Sequence, residues 1–246
     1  MTARRHSGPI AEQLTTMGDT LFRWRSYAPL ILLPLFCLAV LDNRPPTTFR
    51  FELMCLLVSL SGLLLRAYIV ATAPEGASTR GTTQPTAVSL SSEGAYSVVR
   101  HPLYLANTII AVGCAMLSGT WYLPVIVMLI SFIYHERIAA REELFLQQQF
   151  GERFVAWSRD VPAMLPSFAR FRPSRVPFQI QRALMQESHA LCAIGAAFLV
   201  LTTLEHSIRL HSLEVDRRWL LMFALTLIPF LTMVFAKTSA RRYAKV

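Results

Sequence analysis

Apolar residues along this chain fall into blocks and are not spread at amphipathic spacing. Six blocks, at about 27–41, 51–71, 102–118, 121–134, 189–204 and 219–236, are long enough or nearly so to cross a bilayer, which takes roughly 20 residues. The first and fourth are short and depend on their flanks to reach the interfaces. Gly119 and Thr120 leave almost no loop between the third and fourth, which predicts a tight helical hairpin. The fourth block runs on into "HERIAAREELFLQQQF", strong helix formers throughout, until Gly151 stands where a C-terminal cap falls. That helix projects from the membrane and carries Glu142 and Glu143 near its middle. Residues 74–102, rich in Gly, Ser, Thr and Pro, read as loop. The pattern predicts an all-α integral membrane protein with about six transmembrane helices.

Composition agrees. Of the 246 residues 53% are hydrophobic and 16% charged, against about 25% charged in soluble domains. Net charge is +9, and its distribution matters more than its size. With the N-terminus inside, eighteen of the 24 Lys and Arg fall in inside segments and five in outside loops, while Arg66 lies within a span. This bias predicts both termini cytoplasmic; for a bacterial chain the membrane would be the inner or plasma membrane. The excess sits where anionic membrane lipid attracts it, so no nucleic acid is needed to explain it. The first apolar block contains Pro29 and Pro34 and lacks a small-residue cleavage site, unlike a secretory signal. Cys37, Cys55, Cys114 and Cys192 sit in apolar blocks without paired spacing, which predicts neither a disulfide framework nor a metal site.

The stretch "SVVRHPLYLANTIIAVG" places costly polar heads at the edge of an apolar run. Pro102 suits the first position of a helix, where its missing N–H costs nothing. His101 then stands at the cap, and the free N–H groups there favour an anion. Arg100 adds a bidentate grip for a carboxylate or phosphate. Snorkelling of the same pair to lipid phosphates is the plainer reading. Glu142 and Glu143, about 100° apart on their helix, allow only one to look squarely into a site. A carboxylate facing the cationic helix start would suit a zwitterionic ligand.

Three ordered blocks then carry a resemblance. "GAYSVVRHPLYLANTIIAVG", "EELFLQQQFGERFVAW" and "VPAMLP" resemble the isoprenylcysteine carboxyl methyltransferase and phospholipid methyltransferase family. Gly94, Tyr96, Arg100, His101, Pro102 and Tyr104 match the first block. Glu142, Glu143, Leu146, Phe150 and Gly151 match the second, and Val161, Pro162 and Pro166 the third. The resemblance covers roughly residues 89–168. It implies a membrane methyltransferase using S-adenosylmethionine, with a cytoplasmic cofactor-binding segment and a lipid-like or prenylated acceptor. Val88, Ser89, Leu90, Ser91 and Tyr96 would line the cofactor pocket with His101, Pro102, Leu103 and Tyr104, and Glu142 and Glu143 would close it. Arg100, His101 and Glu142 are the candidate catalytic residues, and a Tyr96 or Tyr104 face would meet the sulfonium.

Two departures bear on the acceptor. The family's trailing Tyr pair is Phe154 and Trp157 here. Carboxyl-methylating members carry an Arg four residues before the Glu pair, where this chain has Ile138. Arg137 and Arg141 flank it as candidate acceptor-binding residues. A sterol-reductase-like enzyme using NADPH shares the R-H-P-x-Y block and stays open, as does a non-catalytic protein keeping the fold.

The predicted organisation is a cytoplasmic segment 1–26, two spans in 27–71, a methyltransferase core 72–168, a basic linker 169–188, and a C-terminal hairpin with tail 189–246. Arg66 is expected to snorkel to the interface. His135 and Glu136 are expected only to mark the membrane exit.

Overall fold

The computed structural model describes residues 21, 28–42, 45–74 and 89–243. Among these residues all regular structure is helical, as the apolar blocks predict. The seven α-helices are α1 Ala28–Val40, α2 Phe49–Thr72, α3 Pro102–Met116, α4 Tyr122–Phe150, α5 Glu152–Asp160, α6 Ile180–Leu210 and α7 Arg217–Tyr243. Among the described residues four helices are long and apolar enough to cross a membrane: α2, α4, α6 and, over Arg217–Ala236, α7. At 1.5 Å per residue, the 24 residues of α2 cover about 36 Å, more than the roughly 30 Å hydrocarbon layer.

The short members are not the expected pair. The first block forms a 13-residue helix and the third a 15-residue one, whereas the fourth becomes the 29-residue α4. No helix breaker interrupts the polar run after Tyr134, so the helix continues to Phe150. There Gly151 turns at φ 53° and ψ −126°, a conformation that favours glycine. The linker 169–188 is also shorter than expected. Helix α6 begins at Ile180, because Gln181, Arg182, Gln186 and Glu187 are polar yet good helix formers.

The described residues group into two compact units. One contains Leu21, Ala28–Ile31, residues 73–74, 89–104 and 129–176; the other contains residues 32–42, 45–72, 105–128 and 177–243. Helices α3 and α4 each run from one unit into the other.

The second unit has an apolar core of Phe36, Val40, Cys55, Leu63, Leu117, Val127, Ile194, Phe198 and Trp219. Small residues let α2 and α3 approach closely. A Cβ on Gly113 would lie 2.2 Å from Ser59 Oγ, and one on Gly62 would lie 2.7 Å from the Ala106 carbonyl. Ser59 donates to the Ile110 carbonyl at 3.1 Å. Gly119, at φ 67°, makes the turn between α3 and α4, as its position in the predicted hairpin requires.

Polar side chains also bind this unit together. Glu52, fully buried, accepts from Trp219 Nε1 at 2.6 Å and from Thr47 Oγ1 at 3.1 Å. Glu205, also fully buried, accepts the Thr47 N–H at 2.9 Å and pairs with Arg209 at 3.1 Å. Arg66 does not snorkel. Its Nε donates to Glu187 Oε2 at 2.8 Å and its Nη1 to Asn107 Oδ1, so α2, α3 and α6 meet on one charge-neutral group. The reason is cost: a guanidinium among apolar helices is held more cheaply by a carboxylate than by distant water. The four cysteines are free thiols, and among the described residues no cluster of His, Cys, Asp and Glu has the geometry to hold a metal.

Candidate active site

The site is built in the first unit, from one helix start, one helix middle and one extended strap. Gly94–Ser97 forms a 3-10 turn, with Gly94 at φ 60°. Its amide donates to the Arg172 carbonyl at 2.8 Å, and Trp157 Nε1 donates to the Tyr96 carbonyl at 3.2 Å. The indole therefore keeps an anchoring donor where the family pattern has a tyrosine. The strap after α5 then grips the segment on which Arg100 sits. Arg100 N donates to the Pro162 carbonyl at 2.8 Å, and Ser167 N donates to the Val98 carbonyl at 2.9 Å. These two bonds give the Val161–Pro162–Pro166 block a purpose that the sequence pattern alone does not reveal.

Pro102 is the first residue of α3, as expected, and the His101 carbonyl accepts the Tyr104 N–H at 3.1 Å. The helix start is not a vacant anion receptor. Arg100 Nη1 lies 2.7 Å from Glu143 Oε2, and His101 Nε2 lies 3.0 Å from Glu143 Oε1. Glu142 Oε2 stands 3.5 Å from His101 Nδ1. Both carboxylates therefore face the buried imidazole, correcting the expectation that only one can. Their splay on the helix fits an imidazole whose two nitrogens lie on different edges of the ring. Burial opposes charge on His101, but hydrogen bonds to Glu142 and Glu143 outweigh it and raise its pKa above the ordinary 6.5.

Aromatic rings extend the cluster. Tyr104 stacks on His101 at 5.4 Å and on His135 at 4.7 Å, with interplanar angles of 17° and 11°. His135 is buried in this stack and is more than a marker of the membrane exit. Sequence pattern offers one signal for it: His135 precedes Glu142 by seven residues, two turns along α4. Ile138 is 1% exposed, so packing occupies the position where carboxyl-methylating relatives carry arginine. Arg137 approaches its neighbour Glu136 at 3.8 Å, and Arg141 is half-buried on the same helix.

The remaining predicted residues are placed as follows. Val88 lies outside the described residues. Ser91 and Pro102 are buried, while Ser89, Leu90, Tyr96 and Leu103 are half-buried. Ser89 Oγ and Arg100 Nε are buried polar atoms without a hydrogen-bond partner.

Residues 52–153 match the family model described as phospholipid methyltransferase. Over that stretch, which is less than half of the chain, the sequence resembles the phospholipid methyltransferase family. The protein-S-isoprenylcysteine O-methyltransferase of Schizosaccharomyces pombe is 30% identical over 77 residues, which is 31% of this chain and 33% of the relative. The cobalt-zinc-cadmium resistance protein CzcN of Cupriavidus metallidurans is 27% identical over 84 residues, 34% of this chain and 38% of the relative. The chain thus spans about a third of the length of the curated relatives it matches. No solved structure matches it. Arg66, Arg100, His101, Glu142 and Glu143 all lie within the phospholipid methyltransferase match, while the strap and the α6–α7 hairpin follow it in the chain.

Proposed function

We propose that this chain is an integral membrane methyltransferase that moves a methyl group from S-adenosylmethionine to a lipid-like or isoprenoid-linked acceptor at the cytoplasmic face. One observation carries the reading: within the family-matched stretch, the Arg100–His101 helix start and the Glu142–Glu143 pair converge on one ionic cluster.

The residues fit such a donor. Arg100, a protonated His101, Glu142 and Glu143 together are charge-neutral, so a zwitterionic amino-acid end can enter by exchanging partners without leaving net charge behind. Arg100 Nε and Ser89 Oγ, buried and unpartnered, are polar atoms that a bound ligand would satisfy. Arg100 and the start of α3 would hold a carboxylate. Glu142, whose contact to His101 is the looser one, would take an ammonium or ribose hydroxyls. When bound, S-adenosylmethionine supplies a methyl group on a sulfonium, an electrophile that needs no metal. What remains for the protein is positioning and charge placement. The family resemblance and the membrane-length apolar helices support a lipid-like or isoprenoid-linked acceptor.

Isothermal titration of the detergent-solubilised protein with S-adenosylhomocysteine and with NADPH tests this directly. Binding of S-adenosylhomocysteine is expected, and binding of NADPH alone would reject the reading. Mass spectrometry of lipid extracts from cells fed deuterated methionine, with and without the gene, identifies the acceptor.

A further inference from the structure

The strap that clasps the site is exposed along nearly its whole length. Leu165 is 72% exposed, Phe168 74% and Phe171 50%, and they recur every three residues. Exposed apolar groups clustered this closely along one segment mark an interaction surface. Between and beyond them stand Arg170, Arg172 and Arg175, all exposed, and residues 165–175 contain no acidic residue. Two of the arginines have carboxylate neighbours, Asp160 for Arg170 and Glu93 for Arg175. Both are surface pairs, the Arg175 side chain being 90% exposed, and such pairs exchange a carboxylate for a phosphate at little cost. Only four residues separate the strap from Ile180, where the membrane-length helix α6 begins.

We propose that residues 165–175 dock on the anionic phospholipid surface of the bilayer that these helices cross. Leu165, Phe168 and Phe171 insert at the level where acyl chains meet headgroups, and the three arginines pair with lipid phosphate and carboxylate. Charge complementarity decides for anionic lipid. A wholly apolar strap would insert into any bilayer, whereas a segment with three arginines and no acidic residue of its own, two of those arginines held only in exchangeable surface pairs, favours a negative surface. The strap is well placed to matter, since its Arg172 carbonyl accepts the Gly94 N–H and its Ser167 N–H donates to the Val98 carbonyl, two residues before Arg100.

Hydrogen–deuterium exchange tests the docking without reference to methyl transfer. The full chain is reconstituted in nanodiscs of phosphatidylcholine, alone or mixed with phosphatidylserine, and peptides covering residues 163–176 are followed. Slower exchange with phosphatidylserine, reversed by high salt, is the expected result. Removing arginines should weaken the lipid preference by about fivefold each at low salt. The F168E/F171E and R170Q/R172Q/R175Q variants alter exposed side chains only, so the fold is retained, and both should lose the lipid dependence. Exchange that ignores phosphatidylserine, or a lipid dependence surviving in either variant, overturns the proposal.

Discussion

Glu143 and His101, 42 residues apart in the chain, meet at 3.0 Å, and the other oxygen of the same carboxylate holds Arg100 at 2.7 Å. One acidic side chain of α4 thereby fixes both cationic residues ahead of α3.

Glu143→Gln keeps the shape and removes the charge. The variant should lose about 1–3 kcal/mol of stability, because Arg100 and His101 lose their shared charged partner. On the proposed function it should also weaken S-adenosylhomocysteine binding. Thermal melts with and without that ligand separate the two effects. A melting temperature equal to the parent's would show that the contact contributes nothing.

Protonation of His101 links the cluster to pH. Its pKa is raised in the folded chain, with burial opposing and Glu142 and Glu143 prevailing. Stability from this site is therefore fully present below the unfolded value of 6.5 and declines as pH rises through the higher folded value. Melting temperature should fall as pH rises above 6.5 in the parent, and less so in His101→Gln. Parallel pH profiles for the two proteins would exclude this linkage.

Glu187→Ala should leave Arg66 among apolar helices with Asn107 alone. Breaking a buried pair this way costs about 3–5 kcal/mol, discounted here because the Arg66 side chain is 20% exposed. Removing both charges in Arg66→Met/Glu187→Met should recover most of the loss. Unfolding in mixed detergent micelles measures it, and a double variant no better than the single one would contradict the pair's role.

Gly113→Ala tests the α2–α3 seam. The added Cβ would meet Ser59 Oγ at 2.2 Å, Ser59 N at 2.7 Å and the Cys55 carbonyl at 2.8 Å. Overpacking of this kind costs about 1–3 kcal/mol. Adding Ser59→Gly should relieve it only in part, since two of the three obstacles are backbone. Full rescue would mean the helices part more easily than the contacts imply.

The sequence by itself determined the helical class, the turns at Gly119 and Gly151, the start of α3 at Pro102, and the three blocks that meet in the site. These are local properties: an apolar run too long for anything but a helix in lipid, a proline at a first turn, a glycine at positive φ. Tertiary structure alone decided partnership. Arg66 reads as a snorkelling cation because its neighbours in sequence are apolar, and its carboxylate lies 121 residues away on a helix outside the family match. Glu142 and Glu143 read as alternatives because a helix splays adjacent side chains; two nitrogens on one imidazole let both face it. The Val161–Pro162–Pro166 block is legible as a pattern, but its work is done by backbone carbonyls and amides, which carry no side-chain signature. Side-chain pairing across helices depends on which faces pack together, and that is set by the whole fold.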